Sequence, residues 1–375
     1  MTSSLPIDPL TARSLTGVLP QLIASVSGRP DWFPSARSAV VIVADGLGRG
    51  NLSQRSAYAR FLTERMTKRD SARTVFPATT AAALTSLFTG VTPGEHGIVG
   101  YRVRVPGTSA APNQLTGWEH DGLDPHTWQR SRPLFEREAA AGRPCFVVSR
   151  AQYAGTGFTT ATVRGAEFVA ASGIAERLAS AEALAAAHEG ALVYAYIPEL
   201  DVIGHGQGWE SDRWAAELES LDAELRRWDR QLGPGIGAVL TADHGMVDVP
   251  AHRHVLLDEG DPLLDEVEIV AGEPRMLHLY ASDGAGARVA SRWRASESDR
   301  SWVMTRAEAI GAGLFGAVHP EVEERIGDVL VAARSGVAYY DDRSADKKPQ
   351  RMIGQHGSLT DQERIVPLVR LGAFA

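Results

Sequence analysis

The chain has 375 residues, 44% hydrophobic and 22% charged, a globular composition that excludes disordered, collagen-like and coiled-coil classes. Its 38 basic residues face 46 acidic ones, a net charge of −8. That excludes broad nucleic-acid binding but admits a small anionic substrate wherever something local reverses the sign.

The first 35 residues read as a helical lead-in ending in the turn Gly28-Arg29-Pro30. Met1 to Leu10 carries neither the basic nor the apolar region of an export signal. With one cysteine, Cys145, no intramolecular disulfide can form, so the cytoplasm is the expected compartment. No apolar run reaches the roughly 18–20 residues of a membrane span, so no membrane partner is expected.

Ala39-Val40-Val41-Ile42-Val43-Ala44 is a continuous β-branched run, as in a strand buried on both faces of a parallel sheet. Asp45-Gly46 follows it. Thr79 to Phe88 reads as a helix with Leu84, Leu87 and Phe88 on one face and Gly90 as its C-cap. Tyr101 to Ser131, with Pro106, Gly107, Pro112, Gly117 and Pro125, reads as a long irregular loop, a frequent carrier of function. Cys145 to Val148 is a short strand and Ala179 to Ala187 a helix. Ala191 to Ile197 is a further buried strand running into Pro198-Glu199-Leu200-Asp201. Trp214 to Leu232 is an amphipathic helix with Leu218, Leu221, Leu225 and Trp228 on its stripe. Ala238 to Ala242 is a strand running into Asp243-His244-Gly245. Met276 to Tyr280 and Val329 to Ala333 read as strands of a different unit, and Ile365 to Val369 as a last strand.

The alternation predicts an α/β fold, a mainly parallel sheet sandwiched by helices. Residues 36–250 and 350–375 would form the metal-binding core, with 251–349 inserted as a smaller subdomain.

In open α/β sheets, ligands bind beyond the carboxyl ends of the strands. Asp45, Asp201 and Asp243 fall at that edge, where carboxylates repel unless a cation lies between them. Asp-Gly is also an ordinary turn, so Asp45 alone says little. The histidines add weight. Asp201 and His205 are one helical turn apart, His244 adjoins Asp243, and His356 lies between glycines in Gly354-Gln355-His356-Gly357. Three imidazoles and three carboxylates suit Zn²⁺, with Mn²⁺ or Fe as alternatives. Thr79-Thr80 opens a helix, where free N–H groups favour anions. One threonine can cap while the other reacts, its hydroxyl activated by a metal.

These pieces resemble the alkaline phosphatase superfamily, in its nucleotide pyrophosphatase/phosphodiesterase branch. The matching motifs are Val43-Ala44-Asp45-Gly46, Phe76-Pro77-Ala78-Thr79-Thr80, Thr89-Gly90 and Pro93-Gly94-Glu95-His96-Gly97-Ile98. They continue with Pro198 to His205, Ala242 to Met246 and Gly354 to Leu359. The resemblance implies two metal ions, usually zinc. One would be held by Asp201, His205 and His356, the other by Asp45, Asp243, His244 and the nucleophile oxygen. The family nucleophile lies nine residues before the threonine of the Thr-Gly pair, which from Thr89 gives Thr80. His96 is then structural. The implied activity is hydrolysis of a phosphate diester or pyrophosphate bond through a phosphoryl-threonine intermediate.

No cation follows Thr80 in Ala81-Ala82-Ala83-Leu84, which favours a diester over a dianionic monoester. An arginine could still reach the phosphate from Arg275 or the Arg253 region, although Arg275 reads first as a surface charge. Tyr101 stands where the branch carries an asparagine, and a phenol could donate the same bond. A phosphomonoesterase or a phosphonate hydrolase on the same site is the alternative, and a non-catalytic binding domain the distant one. The expected substrate is a small phosphate ester, nucleotide or phosphonate. Trp118, Trp128 and Trp209 could stack on a base but read first as packing residues.

Overall fold

The computed structural model describes residues 5, 6, 8, 11–67 and 69–375. Residues 1–4, 7, 9 and 10 of the expected lead-in lie outside the described ones. Its helix is α1 (Val18–Val26), and Gly28 turns the chain with φ of 71°.

The strands in chain order are β1 (Ser38–Ala44), β2 (Cys145–Ser149), β3 (Glu167–Ala170), β4 (Leu192–Ile197) and β5 (Ile236–Thr241). There follow β6 (Val267–Glu273), β7 (Met276–Ala281), β8 (Ser301–Thr305), β9 (Val329–Ala333) and β10 (Val369–Gly372). The central sheet has the order β10-β5-β1-β4-β2-β3. Only β10 is antiparallel in it. Every residue of β1 and β5 is buried, which the Val/Ile-rich runs require of strands covered on both faces. Strands β6–β9 form a second, antiparallel sheet of order β8-β9-β7-β6, built between β5 and β10.

Four further helices matter for the site: α2 (Thr80–Thr89), α3 (Gly157–Val163), α4 (Ile174–Ala187) and α5 (Glu199–Gln207). The chain then enters α6 (Asp212–Gln231), capped by Ser211, whose Oγ accepts from the Trp214 N–H at 3.2 Å. The predicted stripe is the buried one: Leu218, Leu221 and Leu225 are 0% exposed and Trp228 3%. Burying each such leucine stabilises by roughly 1.5–3 kcal/mol. The acidic Asp222 in that stripe accepts from the Phe61 and Leu62 N–H groups.

Two expectations are corrected. Ile365 to Val369 is not one strand. Ile365–Pro367 pairs with Ser71–Arg73, and β10 begins only at Val369, against β5. Pro367 has no N–H to continue a ladder, and the chain changes partner directly after it. Arg275 is not a surface charge. It is 1% exposed and bonded to both Glu363 oxygens, Nε to Oε1 at 2.8 Å and Nη2 to Oε2 at 2.9 Å. Its remaining donors reach the carbonyls of Ser335, Val337 and Ala333. A guanidinium so fully bonded ties the second sheet to the last core segment and has no donor left for a phosphate.

Candidate active site at the carboxyl edge of the sheet

The parallel register brings the acidic strand ends together. Ala44 pairs with Ile197 and Val43 with Thr241. Asp45 therefore lies one residue past β1, Asp243 two past β5, and Asp201 in the first turn of α5, which starts directly after β4. Asp45 is 3% exposed and Asp243 0%. Gly46 holds φ of 73°, and a Cβ there would come 3.3 Å from the Asp201 side chain, so the Asp-Gly turn is also a close approach.

Thr80 is the first residue of α2, and all ten residues of that helix are buried. Gly90 ends it in the left-handed conformation, as expected. Thr79 occupies the N-cap position, but its side chain makes no capping bond. The Thr80 Oγ1 lies 3.1 Å from His244 Nε2. The backbone around it is clamped to the histidine loop: the Ala78 N–H donates to the Gly357 carbonyl at 3.0 Å, and His356 Nδ1 meets the Ala78 carbonyl at 2.9 Å.

The three imidazoles share one orientation. Nδ1 of His205 is 2.8 Å from the Gly354 carbonyl, and Nδ1 of His244 is 3.2 Å from the Gly245 carbonyl. A carbonyl only accepts, so each Nδ1 carries the proton and each Nε2 presents a lone pair. Thr80 thus donates its hydroxyl proton to His244 Nε2. This second-neighbour bonding is how metal-ligating histidines are held.

Donor atoms of Asp45, Asp243 and His244 lie within 4.8 Å of one another, and so do those of Asp201, His244 and His356. His205 stands at the edge of the second group, its Nε2 3.3 Å from Asp201 Oδ1. The His244 and His356 rings are 3.6 Å apart. His244 falls within reach of both groups, so the two donor sets adjoin.

Three buried carboxylate oxygens point into this space without a hydrogen-bond partner: Asp45 Oδ1, Asp201 Oδ1 and Asp243 Oδ2. The other oxygens of the two sheet-end aspartates are engaged. Tyr196 donates its hydroxyl to Asp45 Oδ2, and the Gly46 and His244 N–H groups donate to Asp243 Oδ1. Burial first, then Asp243 and Asp201, push the Asp45 carboxyl well above its ordinary range. Burial first, then His244 and His205, hold His356 well below the ordinary imidazole range. Partnerless carboxylate oxygens beside imidazole Nε2 atoms are the donor set that divalent cations fit.

Two contributors had no signal in the sequence. Tyr196 sits within a strand and carries no motif. Glu273 ends β6, 6% exposed, with Oε2 3.8 Å from His356 Nδ1. Gly357 makes room for it, since a Cβ there would lie 2.6 Å from Glu273 Cδ. Glu273 Oε1 and Thr79 Oγ1 make no bond of good geometry, yet the hydroxyl is near enough to favour the carboxylate. Burial outweighs it and pushes the carboxyl from 4.5 up to about 8. The unfolded chain releases this proton near 4.5 and the folded chain near 8, so stability falls as pH rises across that window. In chelator-treated protein, Glu273→Gln should therefore gain stability relative to wild type from pH 4.5 to pH 8, read from urea midpoints. An unchanged difference between the two would refute the buried acid.

Tyr101 lines the same cavity as these groups, its phenol raised chiefly by burial. His96 is buried apart from them, with Nε2 2.8 Å from Ser86 Oγ and Nδ1 accepting from the Ile98 N–H, as a structural histidine would be. Trp118 and Trp209 are buried, and none of the three candidate tryptophans lines the cavity. Arg253 does not line it either, and no lysine or arginine does among the described residues.

The family model described as type I phosphodiesterase / nucleotide pyrophosphatase matches residues 39–359. Murine ectonucleotide pyrophosphatase / phosphodiesterase 5 superposes with a TM-score of 0.69 at 16% identity, covering 89% of this chain and 88% of that one. An inactive variant of the same murine protein is known in complex with AMP. Phosphonoacetate hydrolase from Sinorhizobium meliloti 1021, in complex with phosphonoacetate, superposes at 0.68 and 19% identity, covering 90% and 91%. Among curated proteins, the phosphopentomutase of Rhizobium meliloti is 43% identical over 67 residues, 18% of this chain and 16% of its own length. That of Methylobacterium radiotolerans is 36% identical over 114 residues, 30% and 27% respectively.

Proposed function

The chain belongs to the type I phosphodiesterase / nucleotide pyrophosphatase family of the alkaline phosphatase superfamily and is a phosphoryl-transfer hydrolase; from that premise we propose that it cleaves phosphate diester or pyrophosphate bonds through a phosphoryl-Thr80 intermediate. The observation that carries the reading is the gathering of three carboxylates with partnerless oxygens around His244, whose Nε2 lies 3.1 Å from the Thr80 hydroxyl.

Asp45, Asp243, His244 and the Thr80 oxygen would hold one divalent cation, and Asp201, His205 and His356 the other. Zinc suits the donor set, with manganese or iron as alternatives. Such a pair would lower the pKa of the hydroxyl and stabilise the charge of a transferring phosphoryl group. Three carboxylates and one alkoxide balance two dications, so a phosphate would meet a neutral pocket.

The protein's own part is positioning. Helix α2 places Thr80 at its first residue, where the N–H groups of the first turn have no intrahelical acceptor and face an anion. The clamp from Ala78 to His356 and Gly357 fixes the threonine against the histidines. Thr80 Oγ1 would lose its proton and bond to phosphorus as the bond to the leaving oxygen breaks and that oxygen takes up a proton; water would then give hydroxide to phosphorus and a proton to Thr80 Oγ1, releasing the phosphate product. Tyr101 and the neutral carboxyl of Glu273 can each donate to a phosphate oxygen. The single thiol, buried Cys145, supports a cytoplasmic setting, and no helix among the described residues is long and apolar enough to cross a membrane.

A cavity that no lysine or arginine among the described residues lines suits the single charge of a diester better than the two of a monoester. On zinc-reconstituted enzyme, kcat/KM for bis-p-nitrophenyl phosphate should exceed that for p-nitrophenyl phosphate and for phosphonoacetate. We expect at least about tenfold, equivalent to ~1.4 kcal/mol in the transition state. Preference for the monoester or for phosphonoacetate would overturn the diester assignment.

A further inference from the structure

A second cavity, of ≈ 360 Å³, opens beside the second sheet, and none of its lining residues lines the Thr80 cavity. Three chain segments meet there. One is the turn Ala251–Arg253 with the start of the strand His254–Leu257, which pairs in parallel with Ala338–Asp341. Another is Arg300, directly before β8. The last is the turn Ser335-Gly336-Val337, which leads from β9 into the paired strand.

The wall is rich in hydrogen-bond donors and holds no carboxylate. Acidic residues outnumber basic ones in this chain, yet the Arg253 guanidinium meets none of them and makes no hydrogen bond among the described residues. It lies against the opposite turn, where a Cβ on Gly336 would come 2.8 Å from Arg253 Nη1. Gly336 does not have a positive φ, so what its missing side chain supplies is space for the guanidinium. Arg300 is anchored by Glu297, Nε to Oε2 at 2.6 Å and Nη2 to Oε1 at 2.9 Å. Its Nη1 keeps no partner among the described residues. Glu297 balances the Arg300 charge, so Arg253 brings the net positive charge of the cavity. Ser335 Oγ reaches only the Arg300 carbonyl, at 3.5 Å. His254 is committed, with Nε2 3.2 Å from the Val249 carbonyl. Val255 and Val337 add an apolar strip.

We propose that this cavity is a second anion site, which takes the phosphate group of a small phosphate monoester on Arg253 and Arg300 and its organic part against Val255 and Val337. A guanidinium fork matches two phosphate oxygens at once, and a monoester dianion gains more from an unbalanced arginine than a diester with one charge does. The cavity is larger than a free phosphate needs, which leaves room for the organic part. The inference is independent of the phosphodiesterase reading, since the two cavities share no residue.

The test titrates glucose 6-phosphate, glucose and inorganic phosphate by calorimetry into the zinc-loaded protein and again after zinc removal. Glucose 6-phosphate should show a binding event that survives zinc removal, is absent for glucose, and is at least about threefold tighter than for inorganic phosphate. Arg253→Ala should weaken that event at least about tenfold, the loss of a charge-assisted pair of bonds. Gly336→Phe, which displaces the guanidinium and fills the cavity, should abolish it. Arg213→Ala, which removes an exposed charge on α6, should leave it unchanged. Turnover of bis-p-nitrophenyl phosphate should stay within about twofold of wild type in each variant, as expected of changes distant from the catalytic groups. Binding that needs zinc and ignores Arg253→Ala places the ligand at the Thr80 site and overturns the proposal. An equal loss in Arg213→Ala overturns it in favour of diffuse surface charge, and equal affinity for inorganic phosphate in favour of a free-ion site. Absence of any zinc-independent binding overturns it outright.

Discussion

Thr80→Ala is expected to lower turnover of an aryl phosphodiester by at least about 10³-fold while the bound metal is retained. The size follows from what is removed. The hydroxyl is the group that would bond to phosphorus, and it is the one side-chain oxygen of the helix start held on His244, 3.1 Å from Nε2. Thr80 is buried, but it is the first residue of α2 and its hydroxyl meets only His244, so losing methyl and hydroxyl should cost about 1 kcal/mol and leave a folded, metal-loaded and inactive protein. Thr79→Ala separates the two candidates. Its hydroxyl faces Glu273 and not the histidines, and its removal should cost less than about tenfold. Rates measured with metal content checked by elemental analysis decide it, and an active Thr80→Ala protein would refute the nucleophile.

Asp243→Asn is the second. Asp243 is 0% exposed, accepts two backbone N–H bonds through Oδ1 and leaves Oδ2 without a partner. Asparagine keeps the accepting oxygen and replaces the orphaned one with an amide. The variant should bind one metal equivalent fewer and lose at least about 10³-fold in turnover. Stability should move the other way in chelated protein. Asp243 is the largest charged neighbour raising the Asp45 carboxyl, so removing its charge relieves repulsion in the metal-free fold. The zinc-induced rise in Tm, worth about 2.7 kcal/mol at a hundredfold excess over Kd, should shrink correspondingly. Calorimetric scans with and without zinc give both results. A metal-free variant less stable than metal-free wild type would show that the carboxylates are not held in mutual strain.

Much of the site was legible because strand ends in a parallel sheet share one edge. Asp45, Asp201 and Asp243 each follow an apolar run, and the register of β1 with β4 and β5 brings them together. His205 was legible from helical spacing, one turn from Asp201 on α5. Thr80 was legible from its place at the head of an alanine-rich helix. Glu273 was not, because its role depends on a second sheet reaching the His356 loop, and nothing near Gly272-Glu273-Pro274 marks that approach. Arg275, two residues on, was misread for the same reason: its partner Glu363 is distant in sequence and no local pattern pairs them.

The sequence by itself determined the charge balance, the α/β class and the order of the strand-end acids, since all of these are local patterns or composition. A net charge of −8 looked unfavourable for a phosphate substrate. Only the tertiary structure showed three of those carboxylate oxygens buried, converging and unpartnered. It alone decided that Thr80 reaches His244 and that no lysine or arginine among the described residues lines the cavity. Those properties arise from side chains meeting across α2, α3 and four strands, and packing between distant segments leaves no periodic trace along the chain.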